Sequence, residues 1–162
     1  MALTQRRGDA SVARHGVALV LIAAATLVSM SASAGLGEPV ASVARDQAAL
    51  HGARLAVTTR EGYAIHETTT PDGATVRQFV SPSGTVFAVS WEGRTQPDLQ
   101  VLLAKHYTRY LAATKEPHPS HKVLSVATRD VVINVVRHVR GFTGSAHVPD
   151  LVPAKVSVAD LR

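Results

Sequence analysis

Alternating polar and apolar positions predict three short strands in the middle of the chain. The first runs over Tyr63–Thr70, the second over Thr75–Val80 and the third over Thr85–Trp91. β-branched and aromatic side chains, which suit a pleated and half-buried surface, are frequent in all three. Pro71-Asp72-Gly73 and Ser81–Gly84 separate them and carry residue types of tight turns. Because loops this short join antiparallel neighbours, the pattern predicts a β-meander.

The apolar pattern changes to helical spacing directly after the third strand. Apolar positions recur at i, i+3, i+4 and i+7 and form one stripe. The stripe consists of Leu99, Leu102, Leu103, His106, Tyr107 and Tyr110. Thr95 and Asp98 have the spacing of a capping box, and Pro97 falls in the first turn, where its missing N–H costs little. The pattern therefore predicts one main amphipathic helix.

The third strand is predicted to carry the centre of the core. Simple alternation places Phe87, Val89 and Trp91 on one face. A sheet with one apolar face and a helix with one apolar stripe bury each other's apolar surface. We therefore expect these three side chains to pack against the helix, around Leu103 and Tyr107.

Further elements flank this block on both sides. Val40–Leu50 has helical spacing, and Arg54–Thr59 alternates like a strand. Leu124–Val139 is apolar on both faces, which is typical of a strand inside a sheet or covered on both sides. Gly141–Gly144 is predicted as a turn before a short strand over Ser145–Val148. Together these patterns predict an α+β fold in which an antiparallel sheet, the meander plus C-terminal strands, packs against the main helix and a short N-terminal helix.

The first 34 residues have the three regions of a secretory signal peptide. A basic segment contains Arg6, Arg7 and Arg14, an apolar segment follows over Val17–Val28, and Ala32-Ser33-Ala34 is an A-x-A cleavage site. Twelve apolar residues are fewer than the ~20 that span a bilayer, so cleavage is favoured over a membrane anchor. We expect a periplasmic or secreted protein with no stable membrane anchor after cleavage, and a single small α+β domain over residues 35–162.

Cysteine content and charge restrict the chemistry. The chain has no cysteine, so an exported domain of this size depends on packing rather than on disulfide bonds, and thiol catalysis is excluded. Loss of Arg6, Arg7, Arg14 and Asp9 with the signal peptide lowers the formal net charge from +5 to +3. The remaining bases are scattered along the chain rather than clustered, so no nucleic-acid partner is expected.

Two groups of histidines are candidates for chemistry. His118 and His121 lie in a polar loop and are the candidate metal ligands, but a site needs three or four oriented ligands, so solvated histidines are favoured and no metal or cofactor is expected. His66, His106 and His138 are candidate acid–base groups, with Glu67 beside the first. We expect no catalytic residue among them, because no sequence motif pairs them.

Three aromatic residues, Trp91, Tyr107 and Tyr110, form a candidate binding surface for a carbohydrate or peptide. Core packing between sheet and helix is favoured over this interpretation, because all three lie on patterned apolar faces.

One run of the sequence also carries a family resemblance. Residues 76–103 read VRQFVSPSGTVFAVSWEGRTQPDLQVLL, with Gly84, Val86–Val89, Trp91 and Pro97–Leu99 as the characteristic positions. The chain resembles, from about Leu36 to its C-terminus, a family of secreted proteobacterial proteins with a domain of unknown function. The resemblance implies an exported single-domain protein and supplies no catalytic residue.

Two classes of function remain open from the sequence. The first is a non-catalytic binding or accessory module of the cell envelope, with an envelope protein or a glycan as partner, bound at an exposed sheet edge or by a loop. The alternative is a small histidine-dependent or metal-dependent hydrolase. Convergence of His66, His106 and His138 in one cleft would favour the enzyme.

Overall fold

A computed structural model describes residues 35–52, 54–117 and 120–161. Its strands are β1 (Arg54–Arg60), β2 (Tyr63–Thr69), β3 (Thr75–Val80), β4 (Val86–Gly93), β5 (Val123–Ala127), β6 (Val132–His138) and β7 (Gly141–His147). Its helices are α1 (Val43–Ala49), α2 (Leu99–Leu103) and α3 (Tyr107–Thr114), with 3₁₀ turns at Val40–Ser42, Ala104–His106, Pro149–Leu151 and Val158–Asp160. Within the described residues, no helix combines the length and the apolar character needed to cross a membrane. The predicted α+β fold is confirmed.

The strands form one antiparallel sheet in the order β1-β2-β3-β4-β7-β6-β5. The predicted meander is its first half. The second half differs from prediction in two places. Leu124–Val139 contains a hairpin, because Thr128 accepts the Val131 N–H with its side-chain oxygen (3.1 Å) and turns the chain between β5 and β6. The predicted turn at Gly141–Gly144 is wrong, since these residues begin β7 and the turn lies just before them.

A β-bulge between β3 and β4 changes which side chains share a face. Phe79 pairs with Ala88 and Val80 pairs with Val86, which leaves Phe87 as an extra residue on β4. Beyond the bulge, simple alternation no longer relates the two ends of the strand.

The predicted grouping of Phe87 with Val89 and Trp91 is therefore wrong. Val89 and Trp91 lie in the larger core cluster, whereas Phe87 belongs to a second cluster on the other face. Alternation from sequence assumes an uninterrupted pleat, and the extra residue reverses the side on which Phe87 lies.

The first face, which we call the helix face, carries the main core. α1, α2 and the start of α3 bring their apolar side chains onto it. The buried apolar residues of this cluster include Leu36, Val43, Leu50, Val76, Val80, Val86, Val89, Trp91, Leu99, Leu102, Leu103, Ile133, Val135 and Ala146. Each large side chain buried there contributes about 1.5–3 kcal/mol relative to exposure.

The second face, which we call the open face, is covered at one end only. The segment after β7 crosses this face and packs Val152, Val156 and Leu161 against Phe79 and Phe87. Ser157 caps the last 3₁₀ turn by accepting the Ala159 N–H (3.3 Å). In the remaining part of the open face, no described helix covers the side chains of the sheet.

The predicted main helix is present over residues 99–114, with a different start and an interruption. Its N-cap is Asp98, whose side chain accepts the N–H groups of Gln100 (2.8 Å) and Val101 (3.4 Å), so the predicted capping box starting at Thr95 is wrong. The helix breaks at Ala104, which has φ +48° and ψ −125°. That conformation is strained for any residue with a Cβ atom.

Replacing Ala104 with glycine is expected to raise the free energy of unfolding by about 0.5–1 kcal/mol. Glycine removes a strain of about 1–3 kcal/mol, and the greater freedom of the unfolded chain offsets part of it. Ala112→Gly in α3 is the matched control and should lower stability by about 1 kcal/mol, because Ala112 is an ordinary helical position. Urea unfolding measures both, and a loss of stability in Ala104→Gly would contradict the strain at this position.

Candidate functional site

A row of polar side chains crosses the open face at right angles to the strands. Each residue of the row is the register partner of the next, so all of them point to the same side of the sheet. This polar row consists of Glu67, Arg77, Ser90, Ser145, Asn134 and Ser125. It crosses six strands, and at a spacing of ~4.8 Å it extends for about 24 Å.

The polar row forms the floor of a long concavity. A cavity of about 490 Å³ is lined by Arg77, Ser90, Asn134 and Ser145, together with Thr143 and Val136 from the next row. A second cavity of about 660 Å³ continues towards β1 and is lined by Tyr63, Ile65 and Glu67. Both cavities share Arg77 and Glu92, so they form one groove, which we call the open-face groove.

Arg77 is fixed in the middle of the groove by two carboxylates. Its Nε donates to Glu67 Oε2 at 2.8 Å, and one terminal nitrogen donates to Glu92 Oε1 at 3.1 Å. Burial acts to lower the pKa of Arg77, but the hydrogen bonds and charges of Glu67 and Glu92 outweigh it and raise the pKa. The three groups sum to one negative charge, so the local field does not favour an anionic ligand.

Ser90 is the least accessible member of the polar row. The residue is only 4% exposed, and its hydroxyl has no hydrogen-bond partner among the described residues. A buried hydroxyl without a partner costs about 1–3 kcal/mol, and such groups occur where a ligand or a water completes the hydrogen bond. Ser90 Oγ thus offers a donor and an acceptor at the floor of the groove.

The far end of the polar row has an ordered hydrogen bond. The Ser125 hydroxyl donates to Asn134 Oδ1 at 2.7 Å, which fixes the orientation of the amide and leaves the Asn134 amide nitrogen turned away from that bond. Beside the row, His138 Nε2 and Thr143 Oγ1 are 2.8 Å apart. The groove is therefore lined by side chains that both donate and accept hydrogen bonds.

The three candidate acid–base histidines lie at separate places. His66 is on the helix face beside Gln78, and His138 is on the open face. His106 is 7% exposed in the break between α2 and α3, and its Nε2 has no partner among the described residues. Burial lowers the pKa of both His66 and His106. No cavity in the described region is lined by two of the three histidines.

The loop histidines give no metal geometry. His118 lies outside the described residues, and His121 is an exposed side chain in the wall of a cavity beside Tyr110. Within residues 35–52, 54–117 and 120–161, no group of three or more His, Cys, Asp or Glu side chains is arranged to hold a metal ion. Binding of a metal by His118 and His121 remains untested.

The three candidate aromatic residues are separated by burial. Trp91 is 1% exposed and packs over Gly144 in the core, where its ring is not open to a ligand. Tyr107 and Tyr110 are half-buried and stack with their ring centroids 5.9 Å apart and an interplanar angle of 23°. Gln96 donates to the Tyr110 hydroxyl at 3.2 Å. Tyr107 and Tyr110 therefore remain candidates for a binding surface, without Trp91.

The sequence analysis missed the residues of the groove. One signal for them was present, since Asn134 interrupts the apolar residues of β6 and a polar side chain there faces away from the core. Ser90 and Ser145 gave no such signal, because their alignment depends on the pairing of β4 with β7.

Comparison with known proteins gives a family but no characterised relative. No curated protein and no solved structure matches the chain. A family profile matches residues 32–161, which confirms the resemblance expected from the sequence and includes every strand of the sheet. The chain belongs to the family described as proteins of unknown function, DUF2844.

Proposed function

We propose that the protein is an exported, non-catalytic binding module of the cell envelope and that the open-face groove is its binding surface. The observation that carries this proposal is the unpaired Ser90 hydroxyl at the floor of a groove about 24 Å long. The partner is an envelope protein or a glycan.

Export is supported by the position of the core relative to the expected cleavage site. Residues 1–34, which carry the signal pattern, lie outside the described residues. Leu36 is fully buried, and its N–H donates to the Leu102 carbonyl at 2.9 Å. Cleavage after Ala34 therefore leaves the whole main core in the mature protein.

The hydrolase alternative has less support. A histidine-dependent mechanism needs a base, a nucleophile and an orienting group within hydrogen-bond reach of one another. His66, His106 and His138 lie in three different environments, and His106 faces Gly37 and Lys105 rather than a hydroxyl. The binding module needs only a preformed groove, which the open face provides.

We expect the mature protein to begin at Gly35 or within a few positions of it. The basic, apolar and A-x-A regions place the cleavage site after Ala34. Mass spectrometry of periplasmic and secreted fractions measures the N-terminus. An intact chain starting at Met1 in the membrane fraction would contradict export by a cleavable signal peptide.

Affinity capture with a pair of matched variants tests the proposed binding surface. Asn134 and Gln100 are both exposed amides, but only Asn134 lines the groove. Immobilised mature protein and Gln100→Ala should retain the same material from an envelope extract, and Asn134→Ala should retain clearly less. Equal capture by all three proteins would reject the groove as the binding surface.

A further inference from the structure

We infer that the ligand of the open-face groove is an uncharged polysaccharide strand that lies along the polar row, across the β-strands. The inference rests on the proposed function and adds the chemical class and the direction of the ligand. It follows from which groups line the groove, how they are charged, and what the backbone beneath them offers.

The backbone of the sheet offers nothing to a ligand in this position. β3, β4, β7 and β6 each have a hydrogen-bonded strand on both sides, so their N–H and C=O groups are already paired. A ligand in the groove therefore meets side chains only. An extended peptide gains its affinity mainly from free backbone groups at a sheet edge, so the two edge strands suit a peptide better than the groove does.

The side chains of the groove match the hydroxyl groups of sugars. Ser90 and Ser145 carry hydroxyls that both donate and accept, and Asn134 carries an amide that does the same. Sugar hydroxyls have the same dual character. The buried Ser90 hydroxyl, which has no partner among the described residues, would gain one from a ligand hydroxyl.

Charge favours an uncharged chain. Arg77 already has carboxylate partners on both sides, in Glu67 and Glu92. An anionic polymer would approach two carboxylates, and a cationic polymer would have to compete with the fixed guanidinium of Arg77. Two carboxylates and a guanidinium held rigidly can instead accept from and donate to neighbouring hydroxyls of a neutral sugar ring.

The groove also has apolar contacts for the C–H faces of sugar rings. Val136 lies beside the polar row on β6, and the half-buried ring of Tyr63 lies near its opposite end, packed against Phe79 with ring centroids 6.0 Å apart. Aromatic rings held in this way provide rigid apolar surfaces with a polar end. One residue of the row occurs every ~4.8 Å, and a sugar unit in an extended chain advances by a similar distance.

Two buried serines provide a matched test. Ser90 and Ser42 are both almost fully buried with hydroxyls that have no partner among the described residues, but Ser42 lies at the start of α1, away from the groove. Ser90→Ala and Ser42→Ala should both leave the melting temperature unchanged or higher, because each removes an unpaired hydroxyl. Only Ser90→Ala should weaken ligand binding, by about three- to tenfold.

The measurement is binding of the mature protein to an array of neutral linear oligosaccharides, followed by NMR titration with the strongest binder. Chemical-shift changes in β3, β4, β7 and β6, with weaker binding by Ser90→Ala and unchanged binding by Ser42→Ala, would support the inference. Absence of binding to every neutral oligosaccharide would overturn it, and so would shift changes confined to β1 or β5.

A second arm separates this inference from the proposed function. Material captured from envelope extract is treated with protease in one sample and with periodate, which cleaves vicinal diols, in another. Loss of capture after periodate alone supports a glycan. If capture depends on Asn134 but is lost only after protease treatment, the groove is a binding surface and the glycan inference is wrong.

Discussion

Trp91→Ala is expected to leave most of the mature protein unfolded. The indole is buried in the main core on β4, and removing it deletes a large apolar side chain and creates a cavity. The combined cost is about 3–5 kcal/mol, a large share of the ~5–15 kcal/mol that stabilises a domain. Because the chain has no cysteine, no disulfide bond offsets this loss. Urea unfolding followed by circular dichroism measures the difference.

Two further variants make the result specific to the indole. A Cβ atom on Gly144 would overlap the Trp91 ring, so Gly144→Ala should also lower stability, because the ring must move. Gln100→Ala, at an exposed position of α2, should change stability by less than ~0.5 kcal/mol. If Trp91→Ala is as stable as the parent protein, the core assignment of β4 is wrong.

The stability of the parent protein is expected to contain a component that falls as pH rises from about 4 to about 7, because of Asp46. This carboxyl group is buried beneath α1, where Gln78 Nε2 donates to Oδ2 and Oδ1 has no partner among the described residues. Burial raises the pKa of Asp46 from 3.8 to about 7, against the smaller lowering effect of the Gln78 hydrogen bond. Asp46 is therefore protonated more readily in the folded state than in the unfolded state.

The sign of the effect follows from proton linkage. Between pH 3.8 and about 7 the folded state binds more protons at Asp46, so this contribution to stability is fully present below 3.8 and is lost as pH rises to about 7. We expect a loss on the order of 2 kcal/mol. The histidines have the opposite effect, since burial lowers the pKa of His66, His106 and His147 in the folded state.

Comparison with Asp46→Asn isolates the contribution of Asp46. Asparagine keeps the shape and can still bond to Gln78, but it does not titrate, so the variant should lack the falling component. The measurement is the free energy of urea unfolding at pH 4, 5, 6, 7 and 8 for both proteins. The difference between parent and variant should change across this range in favour of the variant at high pH, and a constant difference would contradict the raised pKa.

Local signals in the sequence were sufficient for the first half of the sheet. Turn residues at Pro71-Asp72-Gly73 and Ser81–Gly84 set the ends of β2 and β3 to within one residue of the prediction. Both turns contain a glycine with positive φ, 83° at Gly73 and 79° at Gly84, which is a local requirement that the sequence shows directly. The apolar stripe of the main helix was equally local.

The remaining features depend on contacts between distant segments. The bulge at Phe87 exists only in the pairing of β3 with β4, and the break at Ala104 occurs inside a stripe that favours an unbroken helix. The groove depends on β7 lying between β4 and β6, which aligns Ser90, Ser145 and Asn134. No window of sequence contains these alignments, so neither the site nor the reversal of Phe87 was predictable from local patterns.

The most direct test of the account is whether the open-face groove is occupied in the envelope. Because the chain has no cysteine, a single introduced thiol is a unique probe. Val136→Cys places it in the groove without removing a hydrogen-bonding side chain, and Ser83→Cys places it in an exposed turn as control. We expect a soluble maleimide to label both purified variants, and to label Val136→Cys much more slowly in intact envelopes while Ser83→Cys is unaffected. Equal labelling of Val136→Cys in the purified protein and in the envelope would contradict a ligand in the groove.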